Sequence, residues 1–170
     1  MRKAWLFIAV GLFWVFRSLQ SFSDPNFYDP QNLNDWVAVL TYSVGMWLLA
    51  PALLLLPQNA FARWPARFAA AAAVVLGLTN VIEDGLQVDA AGIAYGLGGL
   101  VFLLSCVAMT VMCLVRPPRW AALVVVATVV GTLQLENGGG VVVLAAWCVA
   151  AWNVGRDNSS EVVSDSAPSR

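Results

Sequence analysis

From Ala90 to Val115 the chain carries no Asp, Glu, Lys or Arg. A helix of about 20 such residues matches the hydrocarbon thickness of a bilayer. Inside that layer only helices and closed barrels satisfy their own backbone polar groups. Five other stretches have the same character, so six spans are expected, at about 4–20, 36–56, 68–82, 90–115, 120–135 and 139–154. The first is interrupted by Arg17, and the third opens on a run of alanines. The third, fifth and sixth are short and must stand upright or borrow flanking residues. Gly138-Gly139-Gly140 leaves open a rival reading, in which the last two form a re-entrant pair.

Composition excludes the other classes. Charged residues make up 11% of the 170, and hydrophobic residues 60%. A soluble domain carries about 25% charge and needs it to coat its surface. An ordinary soluble enzyme is therefore ruled out. A nucleic-acid binder is ruled out too, because a net charge of −1 leaves no basic stripe. Histidine is absent, which removes bis-His haem, His-ligated zinc and a histidine base. No phosphate-binding glycine loop, hydrolase elbow or HExxH is present. The residues call for no cofactor, metal or catalytic group.

The charges fix an expected topology. Arg2 and Lys3 precede the first span, Arg63 and Arg67 follow the second, Arg116 and Arg119 follow the fourth, and Arg156 and Arg170 follow the sixth. The three remaining connections, 21–35, 83–89 and 136–138, hold carboxylates and no Lys or Arg. The positive-inside rule then places both termini in the cytoplasm of a plasma (inner) membrane. Trp5, Trp64, Trp120 and Trp152 fall near the inner interface and Trp36 near the outer one. The start has the shape of a signal peptide, but no small-residue cleavage site follows, so a retained span is expected. Residues 1–154 then form one transmembrane helical domain, and the Ser-rich, aperiodic stretch 155–170 reads as a disordered cytoplasmic tail. The sequon at Asn158-Ser159-Ser160 falls on the side where it is not used.

Shifting the chain against itself by 53 residues lays spans two and three on spans four and five without a gap. Residues 36–85 and 89–138 share nine identities, where about four are expected from so apolar a composition. The matches include rare polar and turn residues: Tyr42 on Tyr95, Gly45 on Gly98, Arg63 on Arg116, Pro65 on Pro118, Thr79 on Thr132, Glu83 on Glu136 and Gly85 on Gly138. A duplicated helical hairpin is expected, its copies related by an axis along the membrane normal.

The candidate site residues are Arg17, Tyr42, Asn80, Glu83, Asp84, Tyr95 and Glu136. All fall in the outer third of the expected membrane or just above it. Tyr42 lies about 9 Å along its helix from Trp36, and Arg17 about 20 Å from Ala4. Glu83-Asp84-Gly85 and Glu136-Asn137-Gly138 end their helices, with each glycine suited to a left-handed cap. Carboxylates there face the unfavourable end of the helix dipole, which asks for a reason. One reason is an ion pair of Arg17 with Glu83 or Asp84, since an arginine within an apolar span is costly alone. Another is an outward cavity lined by these residues, open to a cation or small polar solute. Gly92-x-x-x-Gly96 offers a face for another helix, of this chain, a second copy or a different membrane subunit. Cys106, Cys113 and Cys148 read as small apolar packing residues. The loop 21–35 could cap the outer face, turning at Asp24-Pro25 and Asp29-Pro30.

The reading is an all-α integral membrane protein held in the lipid bilayer, non-enzymatic, acting as a scaffold or accessory subunit. Its alternative is a small transporter or channel with an acidic vestibule on the outer side.

Overall fold

A computed structural model describes residues 2–23, 30, 32–56 and 59–165. The expected turn at Asp24-Pro25, most of the outer loop around it and the last five residues of the tail lie outside the described residues.

The described residues form six α-helices: α1 (Arg2–Ser23), α2 (Leu33–Leu55), α3 (Arg63–Asn80), α4 (Ala90–Val115), α5 (Arg119–Leu133) and α6 (Gly139–Asp165). Five include a stretch long and apolar enough to cross a membrane. The exception, α5, has 15 residues, about 22 Å of helix against a hydrocarbon core of about 30 Å. Helix α6 runs on to Asp165, where the sequence suggested a structureless tail from Gly155. No proline interrupts that stretch, and a helix already nucleated in the apolar segment extends one hydrogen bond per residue.

Local chemistry sets the ends. At the start of α2 the Asn32 side chain accepts from the Asn34 and Asp35 amides, while Asp35 accepts from the Asn32 amide, a reciprocal capping box. Asn59 serves two helices. Its Oδ1 accepts from the Phe61 and Ala62 amides at the entry to α3, and its Nδ2 donates to the Met112 and Arg116 carbonyls at the end of α4. The end of α3 widens into a π-turn, Val81–Gly85, closed by a bond from the Leu86 amide to the Val81 carbonyl. The end of α5 tightens into a 3₁₀ turn, Leu135–Asn137, before Gly138 at φ 82°. The left-handed cap expected at Gly138 is therefore present. The one expected at Gly85 is not, because the chain turns at Gln87, φ 56°. Gly85 answers to packing instead, since a Cβ there would meet the Trp36 ring at 2.9 Å.

Each helix packs on its neighbours in the chain, and α6 returns to α1 to close a ring. The α1–α6 seam is tight. Phe7 lies on Trp147 with ring centroids 5.2 Å apart, and a Cβ on Gly140 would strike the Trp14 carbonyl. The glycine run at 138–140 thus makes one turn and two close approaches, and α6 beyond it is long enough to span. The ring surface is apolar: Ile93, Leu97, Leu100, Leu104 and Val107 of α4 are all exposed. The interior holds Arg17, Ser18, Ser43, Asn80 and Thr128, all buried. Apolar outside with polar groups inside is how a chain meets hydrocarbon. The fold is that of an all-α membrane protein.

Candidate functional site

At the end of the ring where α1, α3 and α5 finish and α2, α4 and α6 begin, the helices part around a cavity of about 320 Å³. Its lining includes Arg17, Tyr42, Asn80, Asp84, Tyr95 and Glu136. Six of the seven candidate residues are thus together, drawn from five successive parts of the chain.

Helix α1 supplies Arg17 and, one turn on, Ser21. Arg17 is 2% exposed, and its Nη1 donates to Ser21 Oγ at 2.9 Å. Between them Ser18 Oγ donates to the Leu135 carbonyl at 2.6 Å. That bond ties α1 to the 3₁₀ turn and brings Glu136 to the same side of the cavity. Helices α2 and α4 supply the two tyrosines. Tyr95 OH donates to Tyr42 OH at 3.0 Å, with ring centroids 6.5 Å apart. Trp14 meets Tyr42 edge-on, at 6.0 Å and 86°. The tyrosine pair is backed by a fully buried indole and forms the floor.

The opposite side is the end of α3. Asn80 is buried, and its Nδ2 donates to the Val39 carbonyl and to Ser43 Oγ, both at 3.1 Å. Its amide nitrogen is engaged with α2, while its carbonyl oxygen still has acceptor capacity. Asp84, four residues on, lines the same cavity. Glu83 does not: its Oε1 would lie 2.5 Å from a Cβ on Gly92. The absence of a side chain at Gly92 makes room for that carboxylate.

Among the described residues no ion pair joins Arg17 to Glu83 or Asp84, although the sequence suggested one. One of Arg17's bonds goes to Ser21 on the same helix, and Glu83 turns towards α4. Two polar lining residues were missed as candidates, Ser21 and Thr132. The i, i+4 spacing of Ser21 from Arg17 and the Thr79–Thr132 match could have indicated them. Of the thiols, Cys106 and Cys113 are buried as expected, while Cys148 is exposed on the apolar rim of α6.

The site can hold a small solute by hydrogen bonds and charge. It offers a guanidinium, two carboxylates, two phenols and an amide oxygen in a cavity at the lower end of the size range of ligand pockets. Comparison with known proteins returns no matching family model, no matching curated protein and no matching solved structure.

Proposed function

We propose that this chain is a non-enzymatic multi-pass protein of a bacterial-type plasma membrane, whose outward cavity takes up a small polar solute, as a transporter does. The observation that carries this reading is the convergence of Arg17, Tyr42, Asn80, Asp84, Tyr95 and Glu136 on one cavity. The basic connections favour cytoplasmic termini. With both ends inside, α5 makes the remaining crossing, its shortness met by local thinning of the bilayer.

The architecture fits a duplicated hairpin. Residues related by a rotation approach each other only near its axis, and in this closed ring of six helices a shift of two places is a rotation of about a third of a turn. Tyr42 bonds Tyr95, and Asn59 bonds Met112, each pair 53 apart. These contacts lie towards opposite ends of α4, which favours an axis along the membrane normal and through the cavity floor.

The test is a ligand panel read by thermal stability in detergent: sugars, polyols, alkali and divalent cations, amines, carboxylates and amino acids. A solute that raises the melting point of the wild type but not of Tyr95→Phe or Glu136→Gln is expected, followed by uptake in proteoliposomes. If no class shifts the wild type, the cavity reading fails. The accessory-subunit reading draws on a different observation. None of the described residues approaches the Cα of Gly96 from the side its Cβ would occupy, so that face of α4 is open to a partner helix. Copurification of a second membrane protein in mild detergent, abolished by Gly96→Leu, is its test.

A further inference from the structure

We propose that the groove between α5 and α6 seats an anionic phospholipid, with its phosphate held between Arg119 and Arg156 and an acyl chain laid along the apolar channel beyond them. The proposal needs the chain to sit in a bilayer and is independent of the cavity reading, since this groove opens on the outside of the ring.

The groove is a product of small side chains. On α5 it runs past Leu123 and Ala127, and on α6 past Val142, Ala145 and Val149. Leu123, Val142 and Val149 are exposed, so it faces hydrocarbon. The alanines leave a channel of about 430 Å³ between their larger neighbours, lined by Leu, Val and Ala alone. A hydrocarbon chain suits such a lining, whereas a polar solute would leave its own hydrogen bonds unmade there.

Positive charge lies at one end of the channel. Arg119 is four residues before Leu123, hence on the groove face of α5. Arg156 is seven residues after Val149, two turns along the groove face of α6. The two helices are antiparallel, and Gly131 packs closely on Gly139 and Val143. From that crossing about 18 Å of helix leads to Arg119 on α5 and to Asn153 on α6. Arg156 is one turn further, about 4.5 Å. The two arginines therefore flank the same end of the groove. Both are exposed, and among the described residues neither is ion-paired. Trp120 beside Arg119 and the exposed Trp152 one turn before Arg156 stand where indoles of a membrane interface stand.

The length of α5 gives a reason for a charged lipid here. At about 22 Å it is shorter than the hydrocarbon core, so a lipid beside it draws its headgroup inward by several ångströms. Arginines lay their stems on an apolar wall and turn their charge to the headgroup level. Two of them at that level attract a phosphate diester. A zwitterionic headgroup brings its own ammonium towards the second guanidinium, and an anionic one does not. The groove fixes where the chain lies, and the arginine pair selects the headgroup.

The experiment is native mass spectrometry of the full chain released from a neutral detergent, with phosphatidylglycerol and phosphatidylcholine of identical acyl chains. Phosphatidylglycerol is expected to bind about thirtyfold tighter, since each basic residue near a membrane surface contributes about a factor of five. Arg119→Gln with Arg156→Gln is expected to bring the two lipids level. Arg63→Gln with Arg67→Gln removes the same charge at the same end of the ring and is expected to leave the preference intact. Ala145→Phe fills the channel and is expected to weaken phosphatidylglycerol at least about tenfold. All five positions are exposed, so these variants keep the fold, and an unchanged melting temperature checks that. Equal binding of both lipids by the wild type would overturn the proposal. An equal loss with either arginine pair would overturn it in favour of diffuse attraction to the basic face. Competition by inorganic phosphate, with Ala145→Phe silent, would overturn it in favour of an anion held without a groove.

Discussion

The two hairpins, α2–α3 and α4–α5, share a register, yet they are used differently. In the first, the Trp47 indole lies against Gly77, so closely that a Cβ there would strike its Nε1, and that Nε1 donates to the Val74 carbonyl. In the second, the counterpart of Gly77 is Val130, which lines an apolar groove of about 230 Å³ between α4 and α5. Ser43 is buried and held by Asn80, whereas its counterpart Gly96 stands in open space. Asn80 itself corresponds to Leu133, which is exposed at one edge and lines the cavity at the other. The cause is position in the ring. Helix α1 lies against α2, and none of the described residues covers the outer face of α4. The same pattern is core where a neighbour covers it and lipid-facing where none does.

Exchanging residues between the hairpins tests this. The largest effect is expected from Gly77→Val, which puts the second hairpin's residue where the Trp47 ring and the Ser43 carbonyl leave no space. Overpacking of this kind costs about 3 kcal/mol, read as a large fall in melting temperature in detergent. The reverse change, Val130→Gly, removes a side chain from an open groove and should cost about 1 kcal/mol, mainly through helix propensity. Equal effects of the two would mean that the hairpins are packed alike. Asn80→Leu comes next. It removes two bonds to α2, while Ser43 Oγ keeps its own bond to the Val39 carbonyl, so a loss of about 1 kcal/mol is expected.

The difference between the hairpins also marks what the sequence could and could not reveal. Helix number and the clustering of Arg17, Tyr42, Asn80, Asp84, Tyr95 and Glu136 were legible, because hydropathy and charge report depth in a membrane directly. Azimuth was not. Glu83 and Asp84 are adjacent at the same depth, and only the π-turn and the side-chain gap at Gly92 send one to α4 and the other to the cavity. Of the two carboxylates expected beside Arg17, Glu83 is turned away for that reason, while Asp84 shares its cavity. Gly85 and Gly138 look alike in sequence, but one meets an indole and the other turns the chain.

A smaller effect is expected where the two hairpins meet. Tyr42→Phe and Tyr95→Phe each remove one hydroxyl of a single hydrogen bond at the cavity floor. Interhelical bonds of this sort contribute about 0.6 kcal/mol in a membrane protein. A double-mutant cycle should return a coupling of about that size. A coupling near zero would mean that the phenols bond the solvent of the cavity as readily as each other.

The smallest effect sharpens the comparison most. Gly96→Ser gives the second hairpin the residue its counterpart has at Ser43. In the first hairpin that hydroxyl sits between the Val39 carbonyl and the Asn80 amide. In the second, Leu133 offers no such partner and the added side chain enters open space. Stability of the monomer should change by less than about 0.5 kcal/mol, as for a surface substitution away from any special feature. A marked loss would mean that Gly96 is covered in the purified protein. Since none of the described residues covers it, a second copy or another helix is the group to look for, and the mass of the detergent-solubilised particle would show it. A silent Gly96→Ser, beside a damaging Gly77→Val, would instead show that positions 53 apart in the sequence are buried or exposed according to their neighbours in the ring.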